Sequence, residues 1–159
     1  MNRDLLYLHS FNLILFENYR ALKLLRRYFP TMEDAWRASH ADLSASGLRE
    51  KIVSQIITNR QQLDPEKEFL RLQKLVLGIL VPSDKFYPPL LREIHSPPQL
   101  LYLRGRAKLC ASKNILSVVG SRKMTDYGKR VIAELVSELA RNDITIVSGL
   151  ALGVDQEAH

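Results

Sequence analysis

The spacing of the apolar residues changes once along this chain, and that change constrains the fold more than any other feature. Up to about Gln62, leucine and isoleucine recur three or four residues apart, as they do on the buried faces of short helices. After Leu63-Asp64-Pro65 the apolar residues come in short runs between polar segments, which is typical of buried strands. The sequence therefore predicts an all-α domain over residues 1–63, followed by an α/β domain over residues 64–159.

The first domain is predicted to be a compact bundle of about five helices. Pro30 ends the second helix, Thr31 caps the third, and Ser46-Gly47 separates the fourth from the fifth. Residues 43–48 and the helix after them resemble half of a helix-hairpin-helix motif, in which a glycine turn offers backbone N–H groups to a DNA phosphate. Only one of the two usual glycines is present, so a structural turn and a direct DNA contact both stay open.

The second domain is predicted to begin with a connecting helix over residues 66–74, since Asp64-Pro65 is a typical helix start. Short apolar runs then predict four strands, over residues 75–81, 100–103, 115–119 and 144–147. A helix is predicted before the last of these strands. Buried strands that alternate with helices favour a mainly parallel sheet. A doubly wound sheet normally has more strands, so we expect the fold to be truncated at the C-terminus.

The segment from Ile115 to Gly128 is predicted to be a buried strand that runs into a glycine turn and a helix. Gly120 lets the backbone approach a ligand, Thr125 caps the helix, and the Arg122 guanidinium can grip a phosphate bidentately. A second strand end, residues 146–155, repeats the arrangement. If the two strands are neighbours in a parallel sheet, both turns line one crevice at their carboxyl ends. Tight packing of strand against helix is the alternative role for the glycines.

The first turn departs from the nucleotide-binding fingerprints. A Gly-x-Gly-x-x-Gly motif would need glycines where Arg122 and Thr125 stand, and the sequence has no P-loop motif. We therefore expect no nucleotide cofactor. The single cysteine, Cys110, allows neither an internal disulfide nor a cysteine-rich metal site. Asp155 and His159 lie four residues apart, which predicts a structural hydrogen bond on one helix face rather than a catalytic or metal site.

The charge of the chain favours a polyanionic partner. The formal net charge is +6 and the isoelectric point is near 9.6. From Arg104 to Arg130, eight basic residues stand against Asp126 alone, so the excess is concentrated in one stretch. The N-terminal residues mix charged with apolar side chains, which favours neither a secretory signal nor a membrane span. We therefore expect a cytoplasmic protein.

Four motifs follow one another in the second half of the chain. They are Phe86-Tyr87-Pro88-Pro89-Leu90-Leu91, Ser96-Pro97-Pro98-Gln99-Leu100-Leu101-Tyr102-Leu103-Arg104-Gly105, Val119-Gly120-Ser121-Arg122 and Ser148-Gly149-Leu150-Ala151-Leu152-Gly153-Val154-Asp155-Gln156-Glu157-Ala158-His159. Together they closely resemble the DprA/Smf family of DNA-processing proteins, and the resemblance covers residues from about 75 to the end. The helices before it are similar to the family's sterile-alpha-motif-like (SAM-like) extension in general pattern.

The resemblance implies a Rossmann-like domain that binds and protects single-stranded DNA in a basic pocket, without enzymatic activity. It also implies a homodimer that helps to load the RecA recombinase during natural transformation. Carried over, Arg122 is expected to contact a DNA phosphate, with no metal or other cofactor. The other expected pocket residues are Gly120, Ser121, Lys123, Thr125, Ser148, Gly149 and Gly153. Further basic pocket residues and the dimer and RecA surfaces are expected beyond residue 159.

Two other classes of function stay open. Nucleoside monophosphate phosphoribohydrolases of the lysine-decarboxylase-like group also place a Gly-Ser-Arg-like turn after a first strand. The helical domain, residues 1–62, could alternatively act as a protein-interaction module that binds no DNA.

Overall fold

The structure is a computed structural model that describes residues 2–16, 18–75 and 77–159. The chain forms two compact units, Met1–Ala107 and Lys108–His159. The first unit therefore contains the predicted helical domain together with the beginning of the predicted α/β domain. A spatial unit can hold parts of two domains, so the predicted division into residues 1–63 and 64–159 stays a prediction.

Within the described residues, the first unit begins with six helices. They are α1 (Arg3–Leu15), α2 (Tyr19–Tyr28), α3 (Met32–Arg37), α4 (His40–Ala45), α5 (Glu50–Arg60) and α6 (Pro65–Lys74). Thr31 caps α3, because its side chain accepts a hydrogen bond from the backbone N–H of Asp34. Asp64 caps α6, which has Pro65 at its start. The predicted bundle of five helices and the connecting helix after it are confirmed.

The core of the first unit is built around α1, which packs against α3, α5 and α6. Leu8 and Phe11 of α1 are fully buried, and they meet buried side chains of the other helices. These include Leu22, Leu25, Leu43, Val53 and Ile56. Each fully buried aliphatic side chain contributes about 1.5–3 kcal/mol relative to its exposed state, so this cluster accounts for the compactness of the unit.

The first unit also contains a small antiparallel sheet. Strand β1 (Gly78–Leu80) pairs with β2 (Leu101–Leu103), with Ile79 opposite Tyr102, and the short helix α7 (Pro89–Glu93) lies between them in sequence. Val81 and Leu100 beside the strands belong to the same hydrophobic cluster as the helices. The two strands are confirmed, but the predicted mainly parallel sheet is wrong for this pair, which is antiparallel and separate from the sheet of the later strands. The reason is that short apolar runs do not encode strand direction. The predicted strand over residues 75–81 includes Val76, which lies outside the described residues.

The second unit has the α/β arrangement expected from the sequence. A 3-10 helix (Ala107–Ala111) precedes β3 (Ile115–Ser117), followed by α8 (Asp126–Arg141), β4 (Thr145–Val147) and α9 (Val154–Glu157). Strands β3 and β4 pair in parallel, and α8 is the crossover between them. The predicted fold class, helices first and then α/β structure, is confirmed. Of the helices described in either unit, none combines the length and the apolar character that crossing a membrane requires.

Burial differs sharply between the two units. Among the described residues of the second unit, only Asp155 and Ala158 are buried, and α8 has no buried residue. Val119 is 82% exposed and Leu150 is 70% exposed. The predicted burial of the strand over residues 115–119 is therefore wrong, since Ile115–Ser117 are exposed and an apolar run does not specify what covers it. The second unit has much less of a hydrophobic core than the first.

Candidate nucleic-acid interface

Two glycine turns lie side by side at the carboxyl ends of β3 and β4. We call residues 119–125 the first turn and residues 148–153 the second turn. The backbone N–H of Val118 donates to the carbonyl of Val147 at 3.0 Å, and the Ser148 hydroxyl donates to the carbonyl of Val118 at 2.8 Å. Because the strands are parallel neighbours, both turns leave the sheet at one edge. The predicted adjacency of the two turns is confirmed.

The start of α9 joins the two turns directly. The backbone N–H of Val154 donates to the carbonyl of Ser121 at 3.1 Å. The Asp155 carboxylate, which is buried, accepts a hydrogen bond from the backbone N–H of Gly120 at 3.3 Å. Its second oxygen lies 2.9 Å from the position that a Cβ atom at Gly149 would occupy. Asp155 therefore acts as a positioning residue that ties the first turn to the second.

The predicted partnership of Asp155 with His159 is wrong. Among the described residues, the carboxylate bonds to the backbone of the first turn, whereas the His159 Nε2 atom lies 3.5 Å from the carbonyl of Ser148. The four-residue spacing was a valid signal for a shared helix face, but α9 ends at Glu157, before His159. Sequence reasoning missed the bond to Gly120 because it joins residues far apart in the chain.

The glycines of the turns are explained by close packing. Gly153 has a φ of +88°, and a Cβ atom there would overlap the carbonyl oxygen of Ser121. A Cβ atom at Gly120 would lie 2.7 Å from the Val154 side chain, which is too short for van der Waals contact. The packing role that the sequence left open is therefore present. Contact of these glycines with a ligand stays a prediction.

Some polar residues of the first turn hydrogen-bond to the backbone, and others have exposed side chains. The Ser121 hydroxyl accepts from the backbone N–H of Lys123 at 3.1 Å and donates to the Lys123 carbonyl at 2.8 Å. Thr125 caps α8 by accepting from the backbone N–H of Gly128 at 3.2 Å, as predicted. Arg122 and Lys123 are exposed, and within the described part of the chain neither forms a salt bridge. Their charges are available to an anion.

The basic stretch is less concentrated in space than along the chain. Arg104 and Arg106 belong to the first unit, and the second unit has seven Lys and Arg residues against six Asp and Glu residues. The ammonium group of Lys129 lies 3.9 Å from the Glu157 carboxylate. Within the first turn itself, the cations that an anion can meet are Arg122 and Lys123.

The described residues do not contain three His, Cys, Asp or Glu side chains grouped closely enough to hold a metal ion. Cys110 is a half-buried free thiol. The groups that this site offers to a ligand are backbone N–H groups at the start of α8 and the two exposed cations. Both favour an anion over a metal.

A parallel strand pair with apposed glycine turns, one of which leads into a helix and carries free cations, defines a class of α/β proteins suited to phosphate groups. Comparison with known proteins gives the family. The model for the family described as DNA recombination-mediator protein A matches residues 78–159, just over half of the chain. The chain belongs to this family, and the resemblance to DprA/Smf proteins is confirmed.

Individual relatives agree with this assignment. The chain is 37% identical to Protein Smf of Synechocystis over 142 residues, which are 87% of this chain and 36% of that protein. It is 40% identical to DNA processing protein DprA of Bacillus subtilis over 77 residues, which are 48% of this chain and 26% of that protein.

A solved structure extends the likeness to nearly the whole chain. The X-ray structure of DNA processing protein A from Streptococcus pneumoniae is 26% identical and superimposes with a TM-score of 0.71. The match covers 97% of this chain and 52% of that one. The chain thus spans between about a quarter and about half of the length of these relatives.

Proposed function

We propose that this protein binds single-stranded DNA through its phosphate backbone at the paired turns. Membership of the recombination-mediator family supports a role in DNA processing. The observation that carries the proposal is the apposition of the two turns, which leaves Arg122 and Lys123 exposed beside the start of α8. The expected contact residues stay those of the sequence prediction, with Asp155 added as the residue that positions Gly120.

The chemistry of binding follows from these groups. The guanidinium of Arg122 can hold a phosphate through two parallel hydrogen bonds, and Lys123 adds a point charge. The positive end of the α8 dipole lies at the same turn. Each phosphate that is neutralised releases condensed counterions, so affinity should fall steeply as salt concentration rises. Contacts of this kind do not read base identity, and no bond in the DNA is broken.

The wider role is part of the same proposal. A cytoplasmic, non-enzymatic protein of this family would protect incoming single strands and help to load RecA during transformation, acting as a homodimer. The motifs quoted above support this role. Because the chain spans at most about half of its relatives, these activities are proposed for the whole protein.

The proposal is tested by replacing Arg122 with alanine and titrating oligo-dT at several salt concentrations. We expect weaker binding and a salt slope that is smaller by roughly 0.7–1, since one phosphate contact is lost. Arg141→Ala is the matched control, because Arg141 is exposed at the opposite end of α8, about 22 Å from its start. Unchanged affinity of Arg122→Ala, or an equal loss in the control, would refute the site.

The phosphoribohydrolase alternative is tested with the same preparation. Under the proposal, incubation with AMP releases no ribose phosphate, while oligo-dT binds. Release of ribose phosphate without binding of oligo-dT would overturn the proposed function.

A further inference from the structure

A basic groove runs along α2 in the first unit. Two cavities, of about 260 Å³ and 490 Å³, adjoin each other because Arg20 and Leu24 line both. We call this surface the α2 groove. Its defining residues are Arg20, Lys23, Leu24, Arg27, Arg49 and His95.

The described charged residues of the α2 groove are all basic. Among the described residues that line the two cavities, none is acidic. Arg20, Lys23, Arg27 and Arg49 are exposed, and in residues 2–16, 18–75 and 77–159 no carboxylate lies within salt-bridge distance of them. The remaining cation of α2, Arg26, instead donates to the backbone carbonyl of Gln99 at 3.3 Å. The structure thus separates one cation that supports the fold from four that face solvent.

The cations form a row rather than a point. Lys23 and Arg27 come three and seven residues after Arg20 along α2, so the three side chains lie on one face of the helix. With a rise of 1.5 Å per residue, the row is about 10 Å long. This length exceeds a single phosphate group and suits a chain of repeating anions.

The turn before α5 adds to the same surface. Gly47 has a φ of +85° and lines the smaller cavity together with Arg49. Arg49 is the N-cap of α5, and its side chain makes no capping hydrogen bond to the described residues. The positive end of the α5 dipole therefore reinforces the charge of the side chains at one end of the groove.

From these observations we infer that the α2 groove binds the phosphodiester backbone of a nucleic-acid strand. A row of exposed cations in an open groove is complementary to a repeating anion. Single-stranded and duplex DNA share this chemistry, and the test distinguishes them. The inference rests on the proposed function and deepens it, since it gives the first unit a contact of its own with the nucleic acid.

The test is the double variant Arg20→Gln, Arg27→Gln in the full chain, titrated with oligo-dT and with a duplex of equal length. Two phosphate contacts are lost, so we expect several-fold weaker binding and a salt slope smaller by roughly 1.4 for the single strand. The matched control is Lys67→Gln, Lys74→Gln, which removes two exposed charges at the same seven-residue spacing from α6. Thermal melting checks that both variants stay folded, as expected for exposed positions.

The outcomes separate this inference from the proposed function. If the α2 variant binds like the wild type while Arg122→Ala binds weakly, the inference is overturned and the proposed site stands. If the α2 variant is weakened and Arg122→Ala is not, the inference stands without the site at the turns. Equal weakening of the Lys67, Lys74 control also overturns the inference, because binding then follows total charge. If the α2 variant loses affinity only for oligo-dT, the groove binds single strands. If it loses affinity for both oligo-dT and the duplex, the groove binds the phosphodiester backbone of either form.

Discussion

Asp155 and Gly153 belong to the second turn and α9, yet their contacts shape the first turn. The Asp155 carboxylate holds the backbone of Gly120, and Gly153 lets the carbonyl of Ser121 approach where any side chain would intrude. At the scale of single residues, the site therefore depends on contacts that hold the backbone of the first turn in position. The exposed cations act on an anion only if the turn that carries them keeps its position.

Gly153→Ala tests this placement. We expect the free energy of unfolding of the second unit to fall by about 1–3 kcal/mol, since the backbone is strained and the new methyl group overlaps Ser121. Oligo-dT binding should weaken with it. Gly105→Ala is the control, because Gly105 has a φ of +106° but open space around it, so only the backbone strain remains. Urea titration followed by circular dichroism measures both, and equal losses in the two variants would contradict the packing role.

At the scale of elements, a polar cluster joins α1 to β2. The Tyr102 hydroxyl lies 2.7 Å from Nδ1 of His9 and accepts a hydrogen bond from the Asn12 amide at 3.0 Å. The His9 ring also meets the rings of Tyr102 and Phe69 edge-on. Burial lowers the pKa of His9 and raises the pKa of Tyr102, so both side chains are neutral in the folded state near pH 7.

The His9 cluster predicts a pH dependence of stability. The pKa of His9 is lower in the folded state than its ordinary value of about 6.5, which applies to the unfolded chain. Below pH 6.5 the unfolded chain therefore binds a proton at His9 more readily than the folded protein does. The free energy of unfolding should therefore be fully retained above pH 6.5 and decline as the pH falls below it. Urea unfolding between about pH 7 and pH 5 measures this decline.

His9→Leu should remove that part of the decline. His40→Leu should keep it, because the His40 ring is exposed and its bond to Glu50 lies at the surface. A decline that persists unchanged in His9→Leu would show that other groups cause it.

At the scale of the whole molecule, the two units differ in how much apolar surface they bury. The first unit contains every buried apolar residue of the described chain except Ala158. Local opening costs least where few apolar contacts hold an element. The units should therefore differ in local stability although both contain regular helices.

Hydrogen exchange should reveal this difference. We expect the slowest amide exchange in α1 and α5, whose buried faces form the core, and faster exchange in α8, which has no buried residue. Mass spectrometry of peptides after timed labelling measures the rates. Protection of α8 equal to that of α1 would refute the expectation.

The parts of this protein that the sequence by itself determined are those that depend on neighbours along the chain. Helix starts at Thr31, Asp64 and Thr125 follow from short-range hydrogen bonds, and the glycine turns follow directly after their strands. The adjacency of the two turns was also predictable, since a strand, a helix and a second strand form a parallel pair by default.

Only the tertiary structure decided what depends on segments distant in sequence. The antiparallel pairing of β1 with β2, the bond from Asp155 to Gly120 and the division of the basic stretch between two units are all of this kind. The alignment of Arg49 with the cations of α2 in adjoining cavities is another. The physical reason is that local patterning specifies an element and its buried face, whereas the partner of that face is chosen by packing across the whole chain.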